Sequence, residues 1–372
     1  MLILAGPFLE ATRADKRSLH FLLSAILMAG FVFLSSLRFA SLGLKFSLLS
    51  IFAAMNLLYV MVLIARGLIA GGIDRSNFSF ILVVLILYLG PNLVGLASSE
   101  IERDFEKWII KALTIFLLTY TLACFIDSQL FWKIAPPAGL VTPQLAAASF
   151  LGIKNKNKVL LFLAFTTFLG IAKIHYQSSY LLVPISVAII LIGNKIKLVR
   201  TITFITLGLF AILVIFSDLL VWLLSLSSSE GYDNVIIRVA FVEYGINFVQ
   251  QNPIFGGALT YPVTILIKNQ GYYTTLPLHS DALTWLIGTG SIGWLLYSLT
   301  IIICIKKCWK ITEGNLQNSA SSVLLCNYLT GLFNSQYSTF SFLFSCFYTI
   351  VLSFSISHSR IFYNTKTSQK SA

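Results

Sequence analysis

The stretch LHSDALTWLIGTGSIGWLLYSLTIIIC, residues 278–304, decides the fold. From Ala282 to Cys304 it carries no Asp, Glu, Lys or Arg. As an α-helix at ~1.5 Å per residue it is about 35 Å long, enough to cross ~30 Å of hydrocarbon. Its leading residues, His279, Ser280 and Asp281, close a polar stretch (227–281) that follows an apolar segment ending near Leu226. An imidazole at such a boundary exchanges protons near neutral pH, and charge held at a membrane boundary is usually functional.

Outward from this segment the same pattern recurs. Of the 372 residues 57% are apolar and 11% charged, and mean hydropathy is +0.86, far from the usual soluble composition. Apolar windows fall at 19–37, 46–64, 78–97, 108–126, 138–153, 158–174, 179–193, 201–226, 282–304, 319–334 and 338–357. The expectation is an all-α integral membrane protein: one polytopic domain over 1–372, about eleven (10–12) transmembrane helices, and one large loop at 227–281. Outer-membrane barrels would show short alternating segments instead.

Basic residues then orient the chain. One set of inter-helix segments holds Arg38 and Lys45; Arg103, Lys107 and Lys111; Lys154, Lys156 and Lys158; Lys195, Lys197 and Arg200; Lys306, Lys307 and Lys310; Arg360, Lys366 and Lys370. The other holds Arg13, Lys16, Arg17, Arg66, Arg75, Lys133, Arg238 and Lys268. The first set outnumbers the second about two to one, which makes it cytoplasmic and turns the loop 227–281 outward. The basic N-terminus favours a cytoplasmic start, and a further helix near 30–45 would reconcile the two.

The net charge of +12 therefore reads as topology and contact with anionic headgroups. Nucleic acid is not an expected partner, because no soluble domain clusters the basic residues. Cys124, Cys304, Cys308, Cys326 and Cys346 lie in or at the ends of apolar segments with no metal-ligand spacing, so neither disulfides nor a metal site is expected. No cleavable signal peptide and no internal repeat is expected. Gly288-Thr289-Gly290-Ser291-Ile292-Gly293 matches the dinucleotide fingerprint letter for letter. That fingerprint needs a preceding strand and a soluble helix. Inside an apolar span the glycines read as close helix packing.

The loop has internal order. At ~100° per residue, Ile237, Phe241, Tyr244 and Phe248 fall within an arc of about 60°. Residues 235–250 read as an amphipathic helix lying on the bundle, ended by Asn252-Pro253. Arg238 sits at the edge of that stripe, with Glu243 about 140° away. Arg238 is either an interfacial arginine reaching for headgroups or a fork that grips phosphate. His279 is either a solvated residue before a helix capped by Ser280 or Asp281, or an acid–base group.

Taken in order, RVAFVEYGINFVQQNPIFGG (238–257) followed by HSDALTWLIGTGSIG (279–293) resembles the signature of the O-antigen ligase and polymerase superfamily. Its parts are an arginine opening a short helix, a proline-glycine turn, and a histidine leading into a glycine-bearing helix. The resemblance covers about 160–305 at motif level. It implies a bacterial inner-membrane glycosyltransferase acting on the periplasmic face, with an undecaprenyl-diphosphate-linked oligosaccharide as donor. His279 would activate the acceptor hydroxyl, and Arg238 would bind the diphosphate. Lys173, His175, Glu243, Tyr244 and Asp281 are the substrate-binding candidates. No cofactor and no metal are implied; membrane lipid and a chain-length regulator protein are candidate partners. Family members carry an arginine in an upstream turn. The comparable stretch here, KIHYQSSYLLVP (173–184), has Gln177 there, so a second cation falls to Lys173 or His175. The polymerase branch is favoured, with a ligase to lipid A core as the alternative. A flippase or transporter of lipid-linked sugars would need inverted repeats and broken helices. Pro91, Pro184 and Asp218 are the features that bear on it, and no half-to-half symmetry is visible.

Overall fold

Wherever an apolar window falls within the described residues, an α-helix forms. The computed structural model describes residues 48–70, 99–126, 141–174, 181–215, 245, 247–257, 264–269, 272–277, 281–309 and 315–333. Eight labelled helices and one ribbon follow in order. They are α1 (Leu48–Ile69), α2 (Ser99–Ile126), α3 (Thr142–Lys154), α4 (Lys158–Ile174), α5 (Leu182–Lys195), α6 (Lys197–Leu213), β1 (Thr264–Asn269), β2 (Tyr272–Pro277), α7 (Asp281–Trp309) and α8 (Asn315–Phe333). The expected spans at 19–37, 78–97 and 338–357, and the possible helix near 30–45, lie outside the described residues.

Three helix starts precede their apolar windows by four residues or more. α2 begins at Ser99 rather than 108, because Glu100 and Glu102 are good helix formers suited to the positive end of a helix dipole. α8 begins at Asn315 rather than 319. α6 begins at Lys197 rather than 201, so the expected basic loop between α5 and α6 shrinks to Ile196, an extended residue at φ −116°, ψ 103°. Pro184 sits in the first turn of α5 and breaks nothing there. The α3–α4 turn closes through Asn157 N–H to Gly152 O at 2.9 Å, with Lys156 left-handed at φ 53°. Asn157 caps α4, its Oδ1 accepting from Leu160 N–H at 3.1 Å.

The stretch before α7 adds a two-stranded antiparallel ribbon to the helical architecture. Thr264 pairs with Pro277 and Asn269 with Tyr272, so two residues of sequence separate the strands. Ile265, Ile267, Tyr272, Tyr273, Thr274 and Thr275 are β-formers, which is the local signal for it.

α8 is the hub. It packs on α3, α7 and α5, while α7 also packs on α1 and α6, and α4 on α2 and α3. Trp285, Trp294 and Trp309 of α7 are among the largest fully buried side chains. Trp285 stacks on Tyr297 at 4.3 Å, and Trp294 donates through Nε1 to Ala211 O of α6 at 2.8 Å. Among the described side chains of α8 no polar one is exposed: Asn318, Ser319, Ser321, Ser322, Asn327 and Thr330 are all buried. Small polar side chains let helices approach closely and bond across the gap. Tyr328 donating to Ser298 Oγ at 3.1 Å is one such bond.

Around this core the periphery is apolar outward. Leu58 of α1, Phe125 of α2, Phe162 and Phe165 of α4 and Leu198 of α6 are each at least 60% exposed. Among the described residues one helical window, Trp285–Lys306, is long and apolar enough by composition to cross a membrane; Leu58–Ile69, Lys158–Gly170 and Leu182–Lys195 are shorter apolar helices.

The bundle has two chemically distinct ends. At one, Asn155 after α3 donates to Glu106 of α2 at 2.7 Å and accepts from Asn315 of α8 at 2.8 Å. Trp309 at the end of α7 donates to Asn194 Oδ1 of α5 at 3.0 Å. Lys107, Lys154, Lys156, Lys158, Lys195 and Lys306 belong to these same junctions. α1 runs antiparallel to α7: Asn56 donates to Thr300 Oγ1 at 2.6 Å, Tyr59 donates to Thr289 O at 2.7 Å, and Arg66 lies by Phe255. The far end of α1 therefore meets the loop.

Candidate functional site

α7 is a helix interrupted. Gly290 takes φ +65°, ψ −171°, a region essentially closed to residues with a Cβ. A break exposes carbonyls before it and N–H groups after it, and these need partners. The turn at 252–257 supplies them. Gly257 N–H donates to Ile287 O at 2.7 Å, Ser291 N–H to Pro253 O at 2.9 Å, and Ile292 N–H to Ile254 O at 3.4 Å. Tyr59 takes up Thr289 O from the other side.

Backbone lies on backbone at this junction. A Cβ on Gly256 (φ +60°) would sit 2.5 Å from Gly290 N, and one on Gly290 would sit 2.2 Å from Ile254 O. The glycine string is thus a helix break plus a packing surface, entered from the helical residues 281–287 rather than from a strand; at Gly293 a Cβ would strike Thr289 and approach Tyr59 Cε1 to 3.1 Å. The expectation of close packing holds, and the break at Gly290 is the added finding.

The short helix before the turn seats on the start of α7. Its described part, 247–251, is helical and stops at Asn252, whose N–H reaches Phe248 O at 3.1 Å and Val249 O at 3.2 Å. The following proline ends it as expected. Phe248 and Val249 are buried, and a Cβ on Gly245 would meet Leu283 Cδ1 at 2.4 Å. The two segments quoted for the family resemblance are therefore one packed unit at their described residues, although Gly257 and Asp281 flank a 264–277 ribbon.

Of the candidate site residues, Arg238, Glu243, Tyr244, His175 and His279 lie outside the described residues. Lys173 is in the last turn of α4, and Asp281 is the first residue of α7. His279 stands two residues before Asp281 in the sequence.

Arg66 was not singled out by sequence reasoning, which placed it only among the outward basic residues. Its guanidinium carbon lies 5.1 Å from the centroid of Phe255, and both side chains are exposed. Stacking of this kind restrains an arginine while leaving its N–H edge open to an anion. The signal was its place at the end of an apolar window on the loop side.

No protein-family model matches this sequence, and no curated protein matches it.

Proposed function

We propose that this chain is a multi-pass inner-membrane glycosyltransferase of about eleven spans, of the O-antigen polymerase type. It transfers an undecaprenyl-diphosphate-linked glycan onto another lipid-linked repeat unit at the periplasmic face. The observation that carries the reading is the seating of the Asn252–Gly257 turn in the break of α7, which unites the arginine-led and histidine-led segments. The exposed apolar periphery and the lysine-bearing junctions at the opposite end support the membrane placement.

In this mechanism His279 accepts the proton of the acceptor hydroxyl as its oxygen attacks the anomeric carbon. The bond from that carbon to the diphosphate oxygen breaks, and the diphosphate leaves with the electron pair. Arg238 stabilises the developing charge by a two-pronged contact. Arg66 on Phe255 adds an exposed cation beside the Asn252–Gly257 turn.

The test is extension of undecaprenyl-diphosphate-linked repeat units by purified protein, in EDTA and without nucleotide. His279→Ala and Arg238→Ala are expected to abolish the product ladder while the protein stays in the membrane, and Arg238→Lys to fail badly. A full-length ladder from His279→Ala would refute the histidine mechanism. Product formed only on lipid A core would make the protein a ligase.

The broken α7 favours one second reading, a flippase, since transporters use discontinuous helices to bind substrate. Against it, Ser291 and Ile292 already spend their N–H groups on Pro253 and Ile254. Movement of lipid-linked sugar across vesicles without chain extension would favour transport.

A further inference from the structure

An apolar cleft of about 410 Å³ lies between α3, α4 and α5. Its α4 wall includes Leu161, Phe165 and Phe168, and its α5 wall Pro184, Ala188 and Leu191. Lys158 stands three and seven residues before Leu161 and Phe165, so it heads the same stripe of α4. Lys195 stands four and seven residues after Leu191 and Ala188, so it ends the same stripe of α5. Both walls thus finish in a lysine at the same end of the bundle, beside the α3–α4 turn and the α5–α6 junction. Both lysines are exposed, and neither meets a carboxylate among the described residues. Phe165 is 60% exposed and Ile153, on the α3 wall, 45%, so the cleft opens sideways onto an apolar surrounding.

We propose that this cleft binds an anionic phospholipid, with one acyl chain along α4 and α5 and its phosphate between Lys158 and Lys195. The ligand must be apolar along its length and negative at one end, at the end where the basic residues gather. That polarity separates it from the donor of the proposed reaction, whose diphosphate lies at the loop end. The site rests on the membrane placement proposed above and is independent of the glycosyl transfer.

Native mass spectrometry of the full chain in detergent, titrated with dioleoylphosphatidylglycerol or dioleoylphosphatidylcholine, tests it. The glycerol lipid is expected to bind at least tenfold more tightly. Lys158→Gln with Lys195→Gln should lower its affinity about fivefold per lysine, the effect of one basic residue near an anionic headgroup. Lys154→Gln with Lys156→Gln removes the same charge from the neighbouring turn and should change it little. Ala188→Trp fills the cleft from an exposed position and should displace both lipids. Equal loss from the two lysine pairs, retention of phosphatidylglycerol by Ala188→Trp, or no preference between the lipids would overturn the site. Recovery of the protein from the soluble fraction would overturn the membrane placement along with it.

Discussion

Gly290→Ala perturbs the junction of turn and helix at its tightest point. The backbone there, at φ +65° and ψ −171°, costs a residue with a Cβ about 1–3 kcal/mol. The new methyl carbon would also lie 2.2 Å from Ile254 O and 2.6 Å from Gly256 N. Those atoms are backbone, so no rotamer change relieves the clash and the turn must withdraw. Withdrawal weakens the bonds of Gly257, Ser291 and Ile292, each worth about 1 kcal/mol net. The combined loss is about 3–5 kcal/mol. Gly208 of α6 is the control: a Cβ there meets nothing within 4 Å, and Gly208→Ala should gain up to about 1 kcal/mol of helix propensity. Thermal unfolding of the detergent-solubilised protein should place Gly290→Ala well below wild type and Gly208→Ala at or above it. Gly256→Ala should resemble Gly290→Ala, and the double variant should lose less than the sum, because both act on one contact. A Gly290→Ala protein as stable as wild type would refute the splice.

Asn56→Leu removes the bonds to Thr300 Oγ1 and Leu296 O and should cost about 1 kcal/mol in the same unfolding assay. Lys156→Gly relieves a left-handed lysine and should gain up to about 1 kcal/mol, less the added freedom of the unfolded chain. Reporter fusions at Asn155, Asn194 and Asn315 should all report from the inside, and fusions at Asn247 and Lys268 from the outside. Disagreement among the first three would contradict the shared end at which Asn155 bonds Asn315 and Asn194 bonds Trp309.

Hydropathy alone placed the helices, since each window needed only a long apolar run. Its weakness lies at ends that are polar yet helical. Residues 99–107 read as loop by charge, although acidic residues near a helix start favour helix. The one-residue link at Ile196 was hidden because two helices ending in lysines look like a basic loop. α8 was legible as a helix but not as the hub, because its serines and asparagines lower hydropathy where packing is closest. The break at Gly290 could not be read, since a glycine in an apolar run gives no sign of its φ. The sequence offered a loop with a histidine and an arginine as the candidate site, and both lie outside the described residues. Its other half, the lodging of 252–257 in α7 and the cation of Arg66 beside it, depends on contacts far apart in sequence. The ribbon at 264–277 could have been found from its β-branched residues and Gln270-Gly271.

The pairing of α1 with α7 sets an order for synthesis. Asn56 and Thr300 are 244 residues apart, which at typical rates of chain growth is roughly 10–50 s of translation. Through that interval α2 to α6 can make the contacts they share with one another, while those of α3 and α5 with α8 and of α6 with α7 still wait. α1 has no comparable partner among the described helices until α7 arrives. A nascent chain halted before Asp281 therefore carries a partly packed middle and an unattached beginning, with Tyr59 lacking the carbonyl it will later hold. Release of α7 is the event that joins the two, and a chain arrested just short of it should be the form most readily cleared by membrane proteases.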